Sequence, residues 1–359
     1  MAKYRHATLL PSESATTAGT KTIDIDVTDP ISMLEIIMKA TSAGTAQTAH
    51  PAANVSKIEI VDGSTVMASL SGKELQARAF YNTKCMPDNY IADVTGVMAY
   101  ASFPYFFGRK LWDPSLAFDP AKFKNPQLKI THNYRVADTA ASAATLEVYA
   151  HMFDEKKISP IGFLRATEHY TYTCAAEGSV ETIDLPRDLP IRQMIIHGTG
   201  TNYFPWQVAN KVKIEENGGA KVPYDFSTSA WLKWLKQAYG RVEEPAILSL
   251  SDTPRHVYPA ATFTIHTHPI TETVTNIVSI ESSAPTNPFT LDVTAADEAS
   301  AVISGYCPHY AFTIPFGDQQ DMDDWYDVSP LGSLKMKVTA GSATTNGTVQ
   351  VVLEQLKKY

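Results

Sequence analysis

The chain has 359 residues, of which 44% are hydrophobic and 19% charged, enough for two domains with ordinary cores and too apolar for a largely disordered protein. Its net charge of −8 is scattered apart from the acidic run Asp318 to Asp324, so no basic groove is visible and direct nucleic-acid binding is not expected. Cys85, Cys174 and Cys307 stand far apart, without the close spacing of a zinc site or a disulfide scaffold, and read as free thiols.

The first residues, MAKYRHATLLPSES, set Lys3 and Arg5 beside Tyr4, a composition suited to anionic headgroups or a neighbouring subunit as well as to a solvated terminus. No apolar run there reaches signal-peptide length, and no stretch of about 20 apolar residues follows elsewhere, so synthesis in a cytoplasm is expected. TKTIDIDV then opens a series of short segments rich in Val, Ile, Thr and Tyr and separated by Gly, Pro, Asn and Asp, the pattern of antiparallel strands.

Two of these segments come back later in the chain. TIDIDVTDPISMLEI (Thr22 to Ile36) returns 160 positions on as TIDLPRDLPIRQMII (Thr182 to Ile196). ANVSKIEIVDGSTVMASLS (Ala53 to Ser71) returns 156 positions on as ANKVKIEENGGAKVPYDFS (Ala209 to Ser227). An internal duplication preserves the order of elements, and the order continues here.

Each copy next enters a helical pattern. In KELQARAFY, Leu75 and Ala79 share a face and Ser71 precedes Glu74 by three, the capping-box spacing. SAWLKWLKQAY repeats the spacing with Trp231 and Leu235 but has Ala230 in place of Glu74. Further on, PYFFG (Pro104 to Gly108) answers TIPFG (Thr313 to Gly317), and QLKITHNYRVAD (Gln127 to Asp138) answers SLKMKVTAGSAT (Ser333 to Thr344). ATLEVYAHMF and GTVQVVLEQL close the copies with period-2 alternation. The second copy carries about 53 extra residues between Gly240 and Ser304, read as a loop-rich insertion. The expected fold is therefore all-β: two tandem eight-stranded jelly rolls, each with one short helix, divided as 1–158 with an N-terminal arm and 159–359.

Candidates for chemistry are few. His266 and His268 share one face of a predicted strand and could ligate a metal, but no third ligand follows from spacing, and polar residues facing solvent are the preferred explanation. DQQDMDD lacks the order of an EF-hand loop and reads as an exposed acidic loop. Nucleophile elbows, Walker loops, dinucleotide fingerprints and His-Glu-x-x-His are absent, so neither catalytic residues nor a cofactor is assigned. Trp206, Trp231 and Trp234 belong to an ordinary core on the preferred reading, and otherwise fill a larger gap or face a subunit contact.

The duplicated architecture, with SKIEIVDGSTVMASLSGKELQARAFYN (Ser56 to Asn82) as strand, turn, strand and helix, resembles the double jelly-roll major capsid proteins of tailless icosahedral viruses, particularly those of membrane-containing bacteriophages. The resemblance implies a structural virion protein whose homotrimers have pseudo-sixfold shape and tile an icosahedral shell with neighbouring capsomers and minor capsid or penton proteins. It also implies that the 240–304 insertion projects outward and that Lys3 and Arg5 face inward, toward an internal lipid membrane or a cementing protein. A glycan-active or glycan-binding protein on paired jelly rolls is the alternative, and a receptor-binding spike a third reading.

Overall fold

The computed structural model describes all residues except 1–3, 45–46, 157, 201–202, 250–254, 270–277, 281–288, 293–297 and 344–345. The first unit comprises β1 (Tyr4–Ser14), β2 (Gly19–Asp24), β3 (Ile31–Thr41), β4 (Val55–Asp62), β5 (Thr65–Leu70), α1 (Gly72–Thr83), β6 (Asn89–Asp93), β7 (Met98–Phe106), β8 (Pro126–His132) and β9 (Ala143–Phe153). The second opens with β10 (Gly162–Thr173), β11 (Val180–Asp184), β12 (Ile191–Gly200), a single turn α2 (Pro205–Val208), β13 (Ala209–Glu216), β14 (Lys221–Ser227) and α3 (Thr228–Tyr239). It continues through β15 (Val242–Ser249), β16 (Arg255–Val257), β17 (Ala261–Pro269), β18 (Val278–Ile280), β19 (Phe289–Asp292) and β20 (Glu298–Pro308), and ends in β21 (Ala311–Pro315), β22 (Leu334–Ala340) and β23 (Gly347–Lys358).

In the first unit the order β1-β9-β3-β7 faces β2-β8-β4-β5; in the second, β10-β23-β12-β21 faces β11-β22-β13-β14. The two orders are the same once the inserted strands are set aside, and every pairing within them is antiparallel. Even an irregularity is repeated. The β3–β9 register slips between Ile31 and Met33, and the β12–β23 register slips between Ile191 and Gln193, the same place in both copies.

Alternation explains the cores. β8 and β22 show the same in-out burial along seven residues, sending Leu128 and Ile130 into one core and Leu334, Met336 and Val338 into the other. Each core takes residues from both facing sheets, the arrangement of a β-sandwich.

Only two parallel pairings occur among the described strands, and both join the units. β5 pairs with β10 at Ala68–Ala166 and Ser69–Thr167, and β6 pairs with β15 at Ile91–Ala246 through Asp93–Leu248. The first merges β2-β8-β4-β5 and β10-β23-β12-β21 into one eight-stranded sheet, and the second joins β1-β9-β3-β7, through β6, to β15-β20-β17 as another, while β11-β22-β13-β14 stays a separate sheet. The described residues between Gly240 and Ser304 are largely strand, where a loop-rich insertion with a strand around His266 and His268 was expected. β15, β20 and β17 extend one of those sheets, because Val242, Ala246, Leu248, Ala301 and Ile303 bury their side chains, while β16, β19 and β18 form a small sheet of their own.

The helices differ as their caps predict. Ser71 Oγ accepts from the Glu74 N–H and Glu74 Oε2 from the Ser71 N–H, a complete capping box, whereas Ser227 makes no side-chain cap.

Candidate assembly site at the joint between the units

α1 is an amphipathic sequence with almost no exposed face. Nine of its twelve residues are buried, against Thr228, Leu232 and Leu235 alone in α3. The second unit covers the polar side of α1, and the polar residues there are paired across the joint.

The centre of the joint is Glu354 on β23, held between Arg78 of α1 and Arg192 of β12, all three side chains at most 1% exposed. Arg78 Nε donates to Glu354 Oε2 and its Nη2 to the Phe106 carbonyl at 2.8 Å, while its guanidinium lies 4.4 Å from the centre of the Tyr105 ring. Arg192 Nη1 donates to Glu354 Oε1 at 2.5 Å and to Asn82 Oδ1 at 2.8 Å. Burial by itself pushes the Glu354 carboxyl up, but the fields and hydrogen bonds of Arg78 and Arg192 outweigh it and hold the group at about 2.

A second polar layer lies beside the first. His50 Nδ1 accepts from the Ala52 N–H, so its Nε2 carries the proton and donates to Glu244 Oε2 on β15 at 2.9 Å. Glu244 Oε1 accepts from the Ala260 N–H at 2.6 Å. His309 Nε2 lies 2.7 Å from Gln76 Oε1, and Gln76 Nε2 donates to Asn89 Oδ1 and the Ser102 carbonyl. Burial above all, with the charge of Lys73 nearby, holds the His309 imidazole well below its usual range. Both layers consist of buried groups that pair with one another, although Arg78 Nη1 and Asn82 Nδ2 find no hydrogen-bond partner among the described residues. Their chemistry is positional: they fix one unit's orientation against the other.

The residues singled out in sequence do not gather at this joint. Lys3 lies outside the described residues. Arg5 sits in β1, donating to Asp29 at 2.7 Å with Asp154 3.6 Å away. Trp206 stacks on Phe204 at 4.4 Å and packs against the second core. Trp231 donates from Nε1 to the Thr313 carbonyl at 2.8 Å and stacks on Phe226. Trp234, 43% exposed, leans on Trp231.

His266 is exposed on β17, the side chain of His268 lies outside the described residues, and among the described residues no three potential ligands come together to hold a metal. Asp318, Asp321 and Asp324 accept hydrogen bonds from the backbone of their own loop, which closes over the buried Trp325. Cys85 is exposed; Cys174 and Cys307 are buried, and burial raises both thiols, Cys307 to about 12. None of the joint residues stood out in sequence, because Arg78, Arg192, Glu354, His50, Glu244 and His309 come from six separate segments.

No protein-family model matches the sequence, and no curated protein matches it. Solved structures do. The chain is similar to the crystal structure of the STIV major capsid protein, with a TM-score of 0.62 at 11% identity over 98% of this chain and 96% of that one. It is similar to the major capsid protein P2 of bacteriophage PM2, with a TM-score of 0.57 at 9% identity over 99% and 98% of the two chains. The fold is a double jelly roll. PBCV-1 Vp54, fitted into a reconstruction of the virophage Sputnik, shares this double jelly roll with a TM-score of 0.58 at 12% identity over 98% and 93% of the chains. In double jelly-roll terms, the paired layers around Glu354 and Glu244 are the seam between the rolls.

Proposed function

We propose that this chain is the major capsid protein of an icosahedral virus, a structural and non-catalytic role, forming homotrimeric capsomers of pseudo-sixfold outline. The observation that supports it is the seam itself: two rolls of one strand order, set side by side by a buried, charge-paired joint, present repeated edges of the kind a closed assembly needs. Likeness to the STIV and PM2 proteins, both named as major capsid proteins, supports the same reading. The glycan-binding alternative draws no support from those neighbours.

On this reading the rolls divide near residue 158. The 240–304 insertion projects from the outer face, and Lys3 and Arg5 lie toward an internal membrane or a cementing protein. Minor capsid or penton proteins complete the shell, and the chain is made in the host cytoplasm before joining the virion. The test is light scattering after size exclusion with negative-stain images of the same peak. Three times the 39.3 kDa chain mass, with a six-sided outline, is expected; a monomer that binds glycans refutes the reading.

A further inference from the structure

The duplication leaves one surface of each kind uncovered. In the first roll, the helix α1 is covered by the second roll; in the second, its counterpart α3 is open. The sheet faces show the reverse. The outward side of β12 and β23 is buried against the first roll, with Ile195 and Val352 packed into the first roll's core cluster and Gln193 and Glu354 beside them. The corresponding side of β3 and β9 in the first roll bears Glu35, Tyr149 and His151, all partly exposed, with His6 exposed alongside on β1. The strand edges match this pattern: β5 is covered by β10, whereas β14, its counterpart, and β1, the counterpart of β10, are edge strands of their sheets.

We infer that the open α3 face of one copy docks on the open β1-β9-β3 face of a second copy, repeating between chains the seam that exists within one. The inference rests on the trimeric reading above and names its contact. The repeat offsets fix the central pair. α1 and α3 are 156 positions apart along their whole length, so Trp234 stands where Arg78 stands. Glu354 is the register partner of Gln193, and His151 is the register partner of Met33, which is 160 positions before Gln193; His151 therefore stands where Glu354 stands.

Both members of the pair change character together. The internal seam joins Arg78 to Glu354, whereas the external one joins an indole to a ring platform in which His6 stacks on Tyr149 at 5.0 Å and meets His151 edge-on at 4.6 Å. That exchange suits the two tasks. A seam formed once, during folding, can bury a charge triad; copies that fold apart and then meet would have to strip water from each charge, and the half-exposed tryptophan brings none, meeting a platform on which Glu35 already pairs with His151 of its own chain at 3.4 Å. The contact is head to tail, with the helix face of one copy on the sheet face of the next. It closes into a ring only if every copy uses both surfaces, and three copies then present six rolls.

Two measurements test it. In a Cys85→Ser background, Trp234→Cys with His151→Cys treated with a short bismaleimide is expected to give covalent dimer and closed trimer on denaturing gels, while either substitution alone gives no ladder. Trp234→Glu is expected to weaken the trimer about thirtyfold or more, as for a central interface residue, with the monomer's melting temperature unchanged. A wild-type trimer that survives Trp234→Glu, with no ladder from the double variant, overturns this contact and leaves the trimeric reading standing. A wild-type monomer at all concentrations overturns both.

Discussion

Replacing Glu354 by Gln tests whether the seam is an electrostatic lock. The substitution keeps the volume and one acceptor oxygen but leaves Arg78 and Arg192 buried without a counter-charge. Removing one partner of a buried ion pair costs about 3–5 kcal/mol. Linkage gives a similar size: a carboxyl lowered from 4.5 to about 2 in the folded chain contributes roughly 3 kcal/mol at neutral pH. The sign follows from the lowered value. The contribution is fully present above the unfolded value near 4.5 and disappears as pH falls from there through about 2. Urea unfolding followed by tryptophan fluorescence is the assay, with Trp325 as a local reporter because the Arg192 guanidinium lies 5.7 Å from its ring. The expected result is a midpoint lowered at pH 7 by an amount that shrinks toward wild type on acidification. A loss below about 1 kcal/mol at pH 7, or one that stays constant down to pH 2.5, refutes the lock.

Two further results follow from the same structure. Ser71→Ala removes a completed capping box and is expected to cost about 1 kcal/mol, whereas Ser227→Ala should change stability by no more than a few tenths, since Ser227 makes no side-chain cap; paired denaturation curves decide this. His309 is buried neutral, so the unfolded chain takes up a proton below about pH 6.5 that the folded chain refuses, and stability falls with acid by up to about 1.4 kcal/mol per pH unit. His309→Asn, compatible with the left-handed backbone there (φ 50°), is expected to flatten that slope between pH 6.5 and 5; an unchanged slope assigns the proton uptake elsewhere.

The rolls were legible because strand alternation and apolar identity survive duplication. Ile31 and Ile191 match in sequence and are both fully buried, and the helix positions match without a gap. The seam was not legible for a physical reason. In KELQARAFY the polar residues Gln76 and Arg78 flank the Leu75–Ala79 stripe on opposite sides and read as water-facing, and periodicity cannot distinguish a position covered by water from one covered by a second roll with matching charges. Of the inserted strands β17 is legible in the alternation around His266 and His268, whereas β15 and β20 were missed because β15 pairs with the distant β6, a non-local pairing that local composition does not encode. Of the tryptophans, sequence alone ranked none above the others; exposure separates Trp234 from Trp206 and Trp231.

Glu354 sits on β23, and β23 is an inner strand, flanked by β10 and β12. During vectorial synthesis, then, Arg78 and Arg192 are both made long before the acid that neutralises them, and the first roll's α1 waits with its charged face unsheltered. The first roll can close on its own strands early, and β5–β10 and β6–β15 can begin to join it to the second, but the charged centre of the seam is completed only by the long-range contact of Arg78 with Glu354, a slow, high-contact-order step. A nascent chain halted before β23 would therefore carry two unmatched cations on surfaces destined for the interior, and the chain commits to its final shape only when β23 is in place.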